Sequence, residues 1–259
     1  MTSSELEAET VVTACVLIIG NEILSGRTRD ANLQYLAQGL TEAGVRLREV
    51  RVIPDVAETI VAAVNEVRRR YDYVFTTGGI GPTHDDITSE SIARAFGVSW
   101  VVHAEARRIL EAHYPEGAVT AARLRMATLP EGAELVRNPV SAAPGFRIGN
   151  VFVMAGVPGI MQAMFEGVKP LLAGGRPVRS LTVSCALPEG LIAEGLGALQ
   201  DRHPELEIGS YPVFRGGAYR TSLVLRGTRA ELLAAAAEEL RALIRGLGGT
   251  PVEGELPES

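Results

Sequence analysis

The sequence predicts an α/β domain built on a mostly parallel sheet, followed by a smaller α+β unit. Three observations carry this. Residues 11–19 are almost wholly apolar, as a strand buried on both faces requires. Strand-like and helix-like segments then alternate at a rate that fits crossover connections, with helices on both faces of the sheet. Near residue 174 the pattern breaks at Gly174-Gly175-Arg176-Pro177, and a second set of short elements begins.

Taken in order, the first strand at 11–19 meets a polar loop, Gly20-Asn21-Glu22-Ile23-Leu24-Ser25-Gly26. Asp30 caps a helix with Leu33, Leu36, Ala37 and Leu40 on one face, closed by Gly44. Residues 45–53 make a second strand ending in Pro54-Asp55, and Val56, Ile60, Val64 and Val67 form the stripe of the next helix. Residues 71–77 are a third strand. A glycine-rich turn and a helix that stops at Gly97 follow. Helical patterns at 104–113 and 120–127 lead to a turn and short strand over 129–139, a second turn at 143–146, a buried strand at 151–154 and a helix over 160–172. Beyond the linker the reading is strand (180–186), helix (189–202), strand (206–212), strand (220–225) and helix (229–247), a small unit of ferredoxin-like or similar type. The domains are thus 11–173 and 178–249, with tails at 1–10 and 250–259, the latter expected to fray.

Composition narrows the function classes. With 259 residues there is room for one large domain or for one medium and one small. A net charge of −6 offers no electrostatic footprint for nucleic acid or an anionic membrane. The longest apolar run is too short to span a bilayer, and the acidic N-terminus is not a signal peptide. Cys15 and Cys185 fall in different domains, so no disulfide is expected and a reducing, cytoplasmic setting fits.

The chemistry concentrates in Thr76-Thr77-Gly78-Gly79-Ile80-Gly81-Pro82-Thr83-His84-Asp85-Asp86-Ile87-Thr88, a strand end, glycine-rich turn and helix start. Gly78, Gly79 and Gly81 let backbone N–H groups face an anion, and the following helix adds the positive end of its dipole. Two carboxylates beside a phosphate repel it unless a divalent cation lies between them. A metal-assisted phosphate or pyrophosphate site is therefore expected. It is no Walker A loop, because the single lysine of the chain is Lys169. Nor is it a dinucleotide fingerprint, because position 84, where the third glycine would stand, is histidine. Ligands of such sheets gather at the carboxyl ends of the strands, where Glu22 and Asp55 also fall. Each has an ordinary alternative: Asp55 with Glu58 as a capping box, Glu22 as a cap for a nearby backbone group, the aspartates after the glycines as a helix N-cap, His84 as a solvated loop residue. Convergence at one rim favours the functional reading. Arg123, Arg125 and Arg137 are candidate phosphate partners, set against the commoner role of solvated surface arginines.

These segments resemble the molybdopterin-binding domain superfamily of the MoaB/Mog type, with the likeness strongest to its CinA-like branch. The residues that carry it are Ile19-Gly20-Asn21-Glu22-Ile23-Leu24-Ser25-Gly26, Asp30-x-Asn32, Thr77-Gly78-Gly79-Ile80-Gly81-Pro82-Thr83-His84-Asp85-Asp86, Leu129-Pro130-Glu131-Gly132-Ala133, Asn138-Pro139 and Ala143-Pro144-Gly145-Phe146. The His84-Asp85-Asp86 version is similar to the equivalent domain of eukaryotic FAD synthases. The resemblance implies a three-layer α/β/α fold, with Asp86 and Asp55 as site carboxylates and metal ligands and with Mg, Mn or Co as the metal. Glu22 and His84 would serve the same chemistry. Thr77, Gly78, Gly79, Gly81, Thr83, Asn32 and Ser25 would bind a nucleotide or pterin phosphate, molybdopterin among the candidate ligands. It implies metal-dependent hydrolysis of ADP-ribose or FAD, or else adenylyl transfer to molybdopterin, or binding without chemistry. A homo-oligomer, dimer or trimer, is expected. The deamidase domain that full-length members of the branch carry has no counterpart here, so that activity is not expected.

Overall fold

In the computed structural model, residues 11–115, 118–215 and 218–254 are described; the expectations for residues 1–10 and 255–259 lie outside them. The chain divides into two compact units between Gly175 and Arg176.

The first unit is organised around β1 (Val12–Ile19), which pairs in parallel with β2 (Val45–Ile53) on one side and β3 (Tyr73–Thr77) on the other. Alternation along β1 feeds two separate cores. Cys15, Leu17 and Ile19 pack with Ile60, Val64 and Val67 of α3 (Ala57–Val67) and with Ile92 of α4 (Thr88–Phe96). Ala14, Val16 and Ile18 pack with Leu36 and Leu40 of α2 (Asn32–Glu42) and with Met161, Met164 and Phe165 of α7 (Pro158–Val168). A strand buried on both faces thus makes the middle layer of an α/β/α sandwich, each large side chain contributing about 1.5–3 kcal/mol by leaving water. The polar loop after β1 contains a short helix, α1 (Asn21–Leu24).

Further along come β4 (Trp100–Val102), α5 (Ala104–His113), α6 (Ala121–Arg125), β5 (Thr128–Pro130), β6 (Glu134–Val136), β7 (Gly145–Ile148) and β8 (Val151–Met154). The main sheet has the order β2-β1-β3-β8-β7-β6, with β8 parallel to β3 and with β7 and β6 antiparallel; β4 and β5 form a two-stranded antiparallel ribbon. The second turn expected at 143–146 therefore runs into a strand: Gly145 and Phe146 begin β7, which returns through Gly149-Asn150 as a hairpin with β8.

The second unit runs β9 (Arg179–Cys185), α8 (Glu189–Arg202), β10 (Glu207–Arg215), β11 (Ala218–Gly227), α9 (Ala230–Gly246) and β12 (Val252–Glu253), with strand order β10-β11-β9-β12 and antiparallel pairings throughout. That is the β-α-β-β-α-β ferredoxin-like arrangement. Its fourth strand corrects one expectation. Residues 250–254 do not fray, because Val252 pairs with Ser184, the Ser184 hydroxyl donates to the Gly254 carbonyl at 2.6 Å, and Arg241 holds Glu253 at 2.7 Å. Cys15 and Cys185 are both buried and unbridged, and burial first of all pushes the Cys15 thiol up to about 12. Among the described residues no helix is long and apolar enough to cross a membrane.

Candidate functional site

Because β1, β2, β3 and β8 are parallel, the loops that follow them share one rim of the sheet. The turn after β3 is held from both sides: the Gly78 N–H donates to the Met154 carbonyl at 3.1 Å, and the Thr88 N–H donates to the Gly79 carbonyl at 3.0 Å. Only glycine fits the first two positions. Gly78 has φ +102°, and a Cβ there would lie 2.2 Å from the Ile19 carbonyl oxygen. Gly79 has φ +67°, and its Cβ would lie 2.1 Å from Thr88 Oγ1. Between these anchors the N–H groups of Gly79, Ile80 and Gly81 donate to nothing among the described residues.

Asp86 closes the turn on itself. Its Oδ2 accepts from the Thr83 N–H at 2.8 Å and from Thr83 Oγ1 at 2.5 Å, leaving Oδ1 without a hydrogen bond among the described residues. It does not cap the next helix: the N-cap of α4 is Ile87, with no side-chain bond. Asp85 is exposed, held below the usual carboxylate range first by the Thr83 hydroxyl and then by its own backbone N–H. His84 projects into solvent, 97% exposed, 4.0 Å from Asp85.

Asp55 also departs from its ordinary reading. No capping box forms, since the N-cap of α3 is Val56 without a side-chain bond and Glu58 pairs with Arg94 at 3.2 Å. Instead Asp55 Oδ2 accepts from the Asn21 N–H at 2.8 Å and ties the end of β2 to the loop after β1. Asp55 and Asp86 thus follow strands on opposite sides of β1, two strand spacings apart, about 10 Å at the strand ends. The Glu22 carboxylate lies back over Gly20, whose Cβ would be 2.5 Å from it, and Ser25 Oγ donates to the Glu22 carbonyl at 3.3 Å. Asn32 is 5% exposed; its amide donates to the Gly156 carbonyl at 2.7 Å, while its Oδ1 is buried without a partner, as are the hydroxyls of Thr77 and Thr88.

The structure therefore gathers Thr77, Gly78, Gly79, Gly81, Thr83 and Asp86 into one turn and places Glu22, Asn32 and Asp55 along the same rim. Ser25 is turned into its own helix, and His84 is left in solvent. No three His, Cys, Asp or Glu side chains cluster tightly enough among the described residues to hold a metal by themselves. Sequence reasoning missed Trp100 and Ser89, which with Arg125 line a recess against Gly81 and Asp86. The one available signal was that Trp100 is the single tryptophan of the chain.

Comparison with known proteins agrees with this architecture. The family described as "Probable molybdopterin binding domain" matches residues 15–174, and "FAD synthase, middle domain" matches residues 177–248. The structure of the protein CinA, of unknown function, from Thermoplasma acidophilum superposes with a TM-score of 0.59 at 32% identity, covering 62% of this chain and 97% of that one. A CinA-like protein of Desulfosudis oleivorans is 36% identical over 208 residues, 75% of this chain and 50% of its own length. A "Probable FAD synthase" of Caenorhabditis elegans is 32% identical over 260 residues, 90% of this chain and 50% of its own. The chain spans about half the length of these two relatives. Its fold, its glycine turn and these matches agree: the chain belongs to the molybdopterin-binding domain family, in the CinA-like group.

Proposed function

We propose that the chain hydrolyses the diphosphate of a nucleotide such as ADP-ribose or FAD, with a divalent cation that the substrate brings to the 78–86 turn. The observation that carries this reading is the run of three unbonded N–H groups at Gly79, Ile80 and Gly81 beside the half-free carboxylate of Asp86. The amides can take phosphoryl oxygens, and α4 behind them contributes its positive end. The donor set fits Mg²⁺, Mn²⁺ or Co²⁺ shared with the substrate rather than a resident metal, because such ions are held by one or two carboxylates plus phosphate oxygens. Asp86 is the first of those carboxylates; Asp55, whose strand ends about 10 Å away, would share the cation through a bridging water or phosphoryl oxygen rather than directly. When bound, the cation polarises the phosphoryl oxygen and lowers the pKa of a water. Glu22, and His84 if its loop turns inward, would orient that water. Thr77, Thr83 and Asn32 would shape the cradle, Asn32 and Thr77 through their unpartnered oxygens. The likeness of residues 177–248 to an FAD synthase domain favours a flavin or adenine dinucleotide over a simpler phosphate. Two unbridged buried thiols agree with a cytoplasmic setting.

The family description, a probable molybdopterin-binding domain, leaves room for one other reading, adenylyl transfer to a bound molybdopterin. It requires ATP to be consumed only when the pterin is present. A binding module would instead show ligand protection in melting without product under any divalent metal. Turnover of ADP-ribose, FAD and ATP with Mg²⁺, Mn²⁺ and Co²⁺ separates the three. Asp86→Asn is the matching variant, since an amide oxygen still accepts from Thr83 and keeps the turn. Metal-dependent turnover is expected to fall by on the order of 100-fold or more at unchanged melting temperature. Equal turnover by variant and wild type would contradict the assignment.

A further inference from the structure

The three arginines that the sequence offered as phosphate partners are used differently. Arg123 is occupied: its Nη1 donates to the Ala118 carbonyl at 2.5 Å, and its guanidinium lies 4.1 Å from the centre of the Tyr114 ring. Arg137 is exposed and is not among the residues lining the recess beside Gly81 and Asp86. Arg125, the last residue of α6, is half-buried and makes neither a hydrogen bond nor an ion pair among the described residues. Its guanidinium lies 5.7 Å from the centre of the Trp100 ring, within cation–π range.

Trp100 is fixed in place. Its Nε1–H donates to the Thr128 carbonyl at 2.8 Å and to Ser89 Oγ at 3.0 Å, and the Ser89 hydroxyl donates to the same carbonyl at 2.9 Å. Arg125, Trp100 and Ser89 line one shallow recess together with Ile80, Gly81, Asp86, Met126 and Phe146. A guanidinium and a carboxylate thus face one recess without closing into an ion pair, in a chain where acids outnumber bases 31 to 25. Elsewhere arginines such as Arg51, Arg202 and Arg241 have closed onto carboxylates. A cation beside an aromatic ring with no carboxylate partner among the described residues is placed for an external anion. The unbonded amides of Ile80 and Gly81, residues that line the same recess, name that anion as a phosphoryl group.

We propose that Arg125, braced on Trp100, is the anion-recognising and specificity-determining residue of the site, taking oxygens of the diphosphate whose other oxygens rest on the 79–81 amides. This rests on the diphosphate reading above. A planar guanidinium can meet two phosphoryl oxygens at once, which a lysine ammonium cannot do.

The test is calorimetric binding of methylenebisphosphonate and of α,β-methylene-ADP, whose P–C–P bridges cannot be cleaved, to the full chain in Mg²⁺. Arg125→Ala is expected to weaken both by about 10- to 100-fold. Arg125→Gln, which keeps part of the aliphatic stem without the charge and guards against misfolding of the alanine variant, should lose as much, and Arg125→Lys should recover part of the loss. Folded alanine and glutamine variants that bind both probes within about twofold of wild type would overturn the proposal and leave the diphosphate site standing. A lysine variant no tighter than glutamine would also overturn it, because charge would then play no part. If wild type bound neither probe, the diphosphate reading itself would fall first, and this inference with it.

Discussion

At the scale of single residues, the site depends on where side chains are missing. Gly78 sits at φ +102° against the Ile19 carbonyl, so β1 and the turn after β3 approach more closely than any Cβ permits. Gly78→Ala combines a left-handed strain with a clash against backbone, and about 2–3 kcal/mol of stability should be lost. Urea unfolding read by far-UV circular dichroism checks it, and a loss below about 0.5 kcal/mol would mean that the turn is not held as described. The two aspartates show what spacing can and cannot say. Asp55 three residues before Glu58 has the form of a capping box, yet its carboxylate is used by an N–H 34 residues away, at Asn21. Asp86 stands where an N-cap would stand, yet it bonds back to Thr83. The partner of Asp55 comes from tertiary approach, which no local pattern encodes, whereas Asp86 bonds three residues back within its own turn, so spacing alone leaves two local uses of the same carboxylate open. The glycines were legible because a bare turn between strand and helix is itself a local pattern; Trp100 was not, because β4 reaches the site only through its ribbon with β5.

At the scale of elements, β2 and α3 are joined by a charge network on the edge of the sheet. Arg51 reaches both oxygens of Glu66 at 2.7 and 2.6 Å and Glu49 at 2.5 Å, while the Tyr71 hydroxyl donates to Glu49 at 2.5 Å. The bond from Arg51 is the main cause that takes the Glu66 carboxyl down to about 2, and Tyr71 first and Arg51 second lower Glu49. A carboxyl whose pKa is depressed by folding stabilises the fold above its unfolded pKa and stops doing so as pH falls through the folded one. The contribution of Glu66 is therefore present above about pH 4.5 and lost between there and about pH 2. Glu66→Gln should flatten the acid limb of a pH series of urea midpoints over that window, though only modestly, since the pair is exposed and screened. Parallel limbs for variant and wild type would contradict the assignment. The elements themselves were legible in proportion to their length and periodicity. The stripe of α3 and the apolar run of β1 were plain, and α8 begins and ends where its pattern does. Short strands were not: β7 has four residues after a proline, and β12 has two residues in a polar stretch that only the edge of β9 makes into a strand.

At the scale of the whole molecule, two units carry two kinds of information. The first has three layers, with parallel strands that deliver the ends of β1, β2, β3 and β8 to one rim, so residues from position 22 to position 156 share that rim. The second closes its own core around Val183, Leu223, Leu225 and Leu240 in a ferredoxin-like arrangement and brings no cluster of metal-binding side chains among its described residues. The chemistry is accordingly assigned to the first unit, and to one turn in it. That assignment stands on the amides of Gly79, Ile80 and Gly81 being free in order to receive phosphoryl oxygens. It is tested most directly by titrating the ¹⁵N-labelled full chain with inorganic pyrophosphate and Mg²⁺ and following every backbone amide. Those three resonances should make the largest downfield proton shifts, and Arg125→Gln should weaken the titration; saturable binding that leaves the three unmoved while amides elsewhere shift would contradict the assignment.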